Sequence, residues 1–269
     1  MTEPPLLAEI AESSSEGEVA VLYARIRATL GVPFVGLIYR TLAADPGRLE
    51  WVWAQLEPFL AQPDTRDAAA ALDPGVERMA HRIGSAEPAI DPDGEFAARA
   101  AATLAAYDHM NRLNLMGMSA LLQPVRAPSR STRSAVPPMP ARWASGDLLP
   151  MGDLSTLPGE DRDLLLRISA SILPAAGPIL VPSLLRHFAA PGLLAQLWPS
   201  VSPIVESELF KTAAGDLRRQ AAEVPMPAGI RMQRPADTAI LETCARFEVA
   251  TSTMIVMGTI LGRALGLAG

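Results

Sequence analysis

Apolar residues recur at helical spacing along most of the chain, and the pattern predicts two successive sets of four main helices. The first set runs over 18–30, 34–44, 46–60 with a continuation through 65–83, and 94–122. The second runs over 160–173, 183–190, 191–224 and 235–267. Proline and glycine mark most of the joins, as expected of residues that interrupt a helix. In the longest helix of the first set, Tyr107, Asn111, Asn114 and Met118 follow one another at spacings of four, three and four. They share one face of an otherwise Ala/Leu-rich element.

The two sets are copies of one another. Pro46, Trp53 and Pro58 recur as Pro191, Trp198 and Pro203, a constant offset of 145 residues. Upstream, Tyr39-Arg40-Thr41-Leu42-Ala43 lies over Leu185-Arg186-His187-Phe188-Ala189 at an offset of 146, so the second copy lacks a residue opposite Asp45. Gly17-Glu18 and Arg25-Ile26 match Gly159-Glu160 and Arg167-Ile168, and Met116-Gly117 matches Met257-Gly258. The same order of matches across separate segments is the signature of an internal repeat. The expected organisation is a loose N-terminus at 1–16, repeat 1 at 17–123, a Pro/Arg-rich linker at 124–150 and repeat 2 at 151–269. The predicted fold is all-α, with two tandem repeats packed as an intramolecular pseudo-dimer, because each copy alone would leave an apolar face in water.

Composition agrees with helices: the 269 residues are 49% hydrophobic and 19% charged, with few aromatics. A net charge of −6 argues against nucleic acid or an anionic membrane surface as a partner. Cys244 stands alone and the three histidines form no zinc spacing, so neither a disulfide nor a metal is expected. The N-terminus has no basic segment followed by an apolar one, and a reducing cytoplasm is the expected home. The apolar stretch 249–267 carries Thr251, Ser252, Thr253, Thr259 and Arg263, and reads as a core helix rather than a membrane span. A monomer with an internal pseudo-twofold, or a homodimer, fits this organisation.

Candidate chemistry concentrates where the copies would meet. Val32-Pro33-Phe34 and Val181-Pro182-Ser183 both read as helix starts, where unpaired amides at the positive end of a dipole could hold a small carboxylate. Water or side chains satisfying those amides is the alternative. Asn111 and Asn114 need partners on a core face and could orient a water or serve as structural hydrogen bonds. In the second copy Glu248, Ser252, Ile255 and Thr259 stand opposite Tyr107, Asn111, Asn114 and Met118. The linker arginines, Arg126, Arg130, Arg133 and Arg142, could line a route for anions or strap the acidic lobes.

Val32-Pro33-Phe34 through Tyr39-Arg40, the Pro-Gly and Trp-Pro landmarks in both halves and the proline-rich linker resemble the group I 2-haloacid dehalogenase family. That resemblance implies a site between the repeats where small 2-haloalkanoic acids of either hand are hydrolysed without metal, cofactor or ester intermediate. An aspartate-activated water, helped by an asparagine, displaces halide in that family. Carried onto this chain, the substrate-holding positions are Phe34, Leu37 and Ser183, with Tyr107 and Asn111 beside them. The asparagine is Asn114, with Asn111 as the alternative. The aspartate position is occupied by Leu184, which can neither take a proton nor bind a water. Glu248 is the candidate substitute base, with a structural glutamate as the alternative.

Two functions therefore stand open: a hydrolase of small 2-substituted acids, and a non-catalytic relative binding a carboxylate or apolar ligand in the same cavity. A thiol peroxidase would need a Cys-x-x-Cys pair, and a serine hydrolase a Gly-x-Ser-x-Gly elbow; the chain has neither.

Overall fold

The computed structural model describes residues 5–75, 94–129, 142–173, 177–190 and 192–267. Regular structure among them is helical, apart from two isolated bridges, Leu6 to Ile179 and Pro128 to Met226. The helices are α1 (Gly17–Leu30), α2 (Leu37–Ala43), α3 (Arg48–Leu60), α4 (Pro63–Ala70) and α5 (Gly94–Leu122). They continue as α6 (Gly159–Ile172), α7 (Ser183–His187), α8 (Leu193–Val205), α9 (Glu208–Glu223) and α10 (Thr238–Ala264).

The long helices α5 and α10 pack on one another and form the centre of the core. α10 is apolar and long enough to cross a membrane by composition alone, yet 67% of its most apolar window is buried inside the protein. The short helices cross over: α2 of the first half packs on α10, and α7 of the second half packs on α5. Gly47 and Gly192, equivalent at the 145-residue offset, share a left-handed conformation (φ 76° and 74°) ahead of α3 and α8. Only glycine takes that conformation without steric cost, which explains its presence at both turns.

Several expected boundaries shift for identifiable reasons. The helix expected from Phe34 begins at Leu37, because the Val35 amide donates to the Glu12 carboxylate at 2.6 Å and Gly36 stays extended. The long element expected over 191–224 breaks at 206–207, where Ser207 caps α9 by accepting from the Phe210 amide. The continuation expected over 65–83 ends as α4 at Ala70, and most of its remainder lies outside the described residues.

The start of the chain is not loose from Pro5 onward. The Leu7 amide donates to Ile179 and the Ile179 amide to Pro5, while Ile10 donates to the Arg40 carbonyl. Glu12 also pairs with Arg27 at 2.7 Å. Residues 5–15 thus form a strap that ties the first half to the segment before α7.

Helix approach is closest at Gly117, where an added Cβ would lie 3.0 Å from the buried Leu56 side chain; at Gly258 the nearest atom would be 3.6 Å away. Alanine favours a helix interior over glycine by about 0.5–1 kcal/mol. Gly258→Ala is therefore expected to raise the thermal midpoint, and Gly117→Ala to fall below it, a difference readable by calorimetry of the two variants.

Candidate functional site

A cavity of about 40 Å³ lies between the halves. α2 contributes Leu37 and Ile38, and α5 contributes Tyr107, Met110, Asn111 and Asn114. From the second half come Leu180, Pro182, Ser183 and Leu184, with Phe247, Ala250, Thr251 and Met254 from one face of α10. The cavity is open on one side, so a ligand there is not confined to that volume. Six of the residues expected at the site (Leu37, Tyr107, Asn111, Asn114, Ser183 and Leu184) thus share one wall-to-wall space.

Three of the lining groups have unspent hydrogen-bonding capacity. Asn111 is 7% exposed and Thr251 5% exposed, and among the described residues neither side chain has a hydrogen-bond partner. The Asn114 carbonyl accepts from the Tyr39 hydroxyl at 2.8 Å, which leaves its amino group for the cavity. Gly36 makes room for that amide: a Cβ there would stand 3.2 Å from Asn114 Nδ2 and 3.1 Å from Met110 Sδ. Burial pushes the Tyr39 phenol far above its ordinary range, so it remains a donor.

A charged group stands behind the Ser183 end. Arg40 is 3% exposed and donates from Nη2 to Ser183 Oγ at 2.8 Å. Its Nε lies 2.8 Å from Glu9, and the other Glu9 oxygen lies 3.5 Å from Arg186. The strap therefore supplies a carboxylate shared by two arginines that stand 146 residues apart in the sequence.

The same end carries a directed polar chain. His187 Nδ1 lies 2.6 Å from the Leu149 carbonyl and Nε2 lies 3.0 Å from the Tyr107 hydroxyl. Burial lowers the His187 pKa to about 4, against a weaker opposing effect of the Leu149 hydrogen bond. The ring is neutral near pH 7, so Nδ1–H donates to the carbonyl and Nε2 accepts the Tyr107 proton. Ser183 accepts from Arg40, and its side chain lines the cavity together with Tyr107.

Two expected residues fall elsewhere. Phe34 is not part of the lining; it stacks on the Tyr107 ring with centroids 4.4 Å apart. Glu248 does not reach the cavity at all. It is half-buried beside Ser119, Arg218 and Arg126, and burial raises its pKa over the opposing effect of those partners. On α10 the lining positions are 247, 250, 251 and 254, and residue 248 turns about 100° away from 247. Glu248 is thus excluded as the water-activating group by direction.

At the first of the two expected helix starts the Val35 amide is taken by the Glu12 carboxylate, and α2 and α7 are single turns or little more. Arg126 packs against Ala221, Val224 and Ser119 as a strap, while Arg130 and Arg133 lie outside the described residues. Cys244 is fully buried with its thiol pushed up to about 12, an inert group. Arg40, His187 and Thr251 are the lining or backing residues that the pattern of the chain did not single out. Among the described residues no cluster of acids, histidines or cysteines could hold a metal.

No family model and no curated relative matches the chain. Solved structures do. A D-2-haloacid dehalogenase mutant in complex with D-2-CPA superposes with a TM-score of 0.72 at 15% identity, covering 100% of this chain and 99% of that one. The D-2-haloacid dehalogenase complex with L-LA gives 0.71 at 14% identity, covering 99% of each chain. A further D-2-haloacid dehalogenase mutant gives 0.68 at 15% identity, covering 99% and 98%. The fold is that of the D-2-haloacid dehalogenases. At such identities the likeness describes the backbone and leaves the chemistry to the residues above.

Removing the hydroxyl that holds Asn114 leaves a buried carbonyl unpaired, which costs about 1–3 kcal/mol. Tyr39→Phe is expected to lower unfolding free energy by that order in urea titrations. His187 gives a pH signature. Its folded value of about 4 lies below the ordinary 6.5, so the unfolded chain binds more protons between them. Stability is expected to fall as pH drops from about 6.5 to about 4, and a His187→Gln variant to lose that component. The difference between the two urea-unfolding profiles against pH measures it.

Proposed function

We propose that the protein binds a small 2-substituted carboxylic acid in the cavity between its halves. The observation that carries this reading is the set of unspent groups there: the Asn111 amide, the Thr251 hydroxyl and the Asn114 amino group, all facing a space backed by the Arg40 guanidinium. Polar groups that line a concave, mainly apolar site and are not tied to protein partners are available to orient a ligand. The carboxylate belongs at the Ser183 end, where Arg40 makes the field positive, and the substituent belongs against Leu37, Leu184, Phe247 and Met254.

The dehalogenase-like fold supports the same ligand class. In this reading the halves form an intramolecular pseudo-dimer, a view supported by the crossed packing of α2 and α7 and by the matched turns at Gly47 and Gly192. Among the described residues the cavity lining contains no acid, and Leu184 fills the position where the family resemblance implies a water-activating aspartate. Hydrolysis by that aspartate route is therefore not part of the proposal.

Calorimetric titration with 2-chloropropionate of each hand, and with 2-chloropropionamide as an uncharged control, tests binding. The acids are expected to bind and the amide to bind more weakly. A ligand at 100 times its Kd stabilises the folded state by about 2.7 kcal/mol, which a thermal scan will register. Asn111→Leu is expected to weaken binding while leaving the fold intact. Acids that fail to bind, or bind the variant equally well, would overturn the reading.

A further inference from the structure

Among the described residues the cavity lining has no carboxylate, yet one of its walls ends in a base. Tyr107 lines the cavity, and its hydroxyl donates to the neutral Nε2 of His187 at 3.0 Å. The imidazole is fixed in that tautomer by the Leu149 carbonyl at Nδ1. The Tyr107 ring is fixed as well, stacked on Phe34 at an interplanar angle of 18° and meeting the imidazole edge-on at a centroid distance of 5.2 Å. Its oxygen gives its hydrogen to His187, which leaves its lone-pair side for a water in the cavity.

The imidazole also has a second side. His187 borders a groove of about 560 Å³, together with Arg99, Leu149, Pro150 and Arg186. The pair Tyr107 and His187 therefore stands between the cavity and the groove, joined by one hydrogen bond.

We propose that Tyr107 and His187 form a proton relay that serves as the general base for displacement at C2 of a 2-haloacid held in the cavity. The proposal rests on the binding reading above and extends it from binding to turnover. In the step, the water oxygen bonds to C2 as the carbon–halogen bond breaks, and halide leaves with the bonding pair. The water proton passes to the Tyr107 oxygen while the Tyr107 proton passes to His187 Nε2. The product is a 2-hydroxy acid, and as it leaves the imidazolium returns its proton through the Tyr107 oxygen to water entering the cavity. Tyr107 is the catalytic residue, since it touches the water; His187 acts through it.

The strength of the base is suitable. Burial gives His187 a conjugate acid of about 4, the ordinary range of the aspartate that Leu184 replaces. The charged and titratable groups around it are Arg186 on its own helix, Arg40 from α2, Tyr107 from α5 and Glu9 from the strap, with Arg99 and Glu95 across the groove. Arg186 and Arg40 disfavour the imidazolium, so the proton taken up is readily released.

Halide release from 2-chloropropionate and 2-bromopropionate of both hands, measured beside calorimetric binding of the same acids, tests the relay. The native chain is expected to release halide, with kcat falling as pH drops through about 4. Tyr107→Phe keeps the ring and its stacking, and His187→Gln removes the accepting nitrogen. Each is expected to lower kcat by about 10²- to 10⁴-fold with Kd little changed, the loss expected when a general base is removed. Adding Leu184→Asp to His187→Gln is expected to restore release, because a carboxylate then faces the cavity water. Acids that do not bind overturn the binding reading and the relay with it. Acids that bind without halide release, or are released at native rates by both variants, overturn the relay alone.

Discussion

A single carboxylate, Glu9, lies between the guanidiniums of Arg40 and Arg186, and the geometry of the cavity depends on that pairing. Arg40 is almost wholly withdrawn from water. A cation in that position without a counter-charge costs about 3–5 kcal/mol, so the strap that carries Glu9 is a structural part of the site. Arg40 holds Ser183, and on the same cavity wall Tyr107 is hydrogen-bonded to His187. The polar end of the cavity is thus preorganised by a residue near the beginning of the chain.

The helical fold is legible in the sequence because its determinants are local. Ala/Leu-rich periodicity, the proline and glycine joins and the recurring landmarks at 46, 53 and 58 all act within a few residues of where they stand. The false start at Phe34 has the opposite origin. Its competing hydrogen bond comes from Glu12, 23 residues earlier, and no window over the segment contains that information. The loose N-terminus is misread for the same reason, since its partners are Arg40, Ile179 and Arg186.

Within the site, residues on one helix face were legible and residues joined by long-range pairing were not. Tyr107, Asn111 and Asn114 share a face by spacing, and the turn at Pro182 sets Ser183 and Leu184 beside them. Glu248 shows where transfer by repeat offset fails: it is the counterpart of Tyr107 in sequence, but its side chain leaves α10 on a different face and meets Arg126 and Arg218. Arg40 and His187 carried a faint signal, as charged or titratable members of the matched segments at the 146-residue offset, in helices otherwise apolar.

The crossed packing of α2 and α7 has a consequence for the symmetry of the cavity. A pair of identical units would offer every lining residue twice, and any ligand on their axis would meet like walls. Here the counterparts of Tyr107, Asn111 and Asn114 are Glu248, Ser252 and Ile255, and one chain terminus supplies one Glu9 for both arginines. The cavity therefore has unlike sides, which makes it inherently handed.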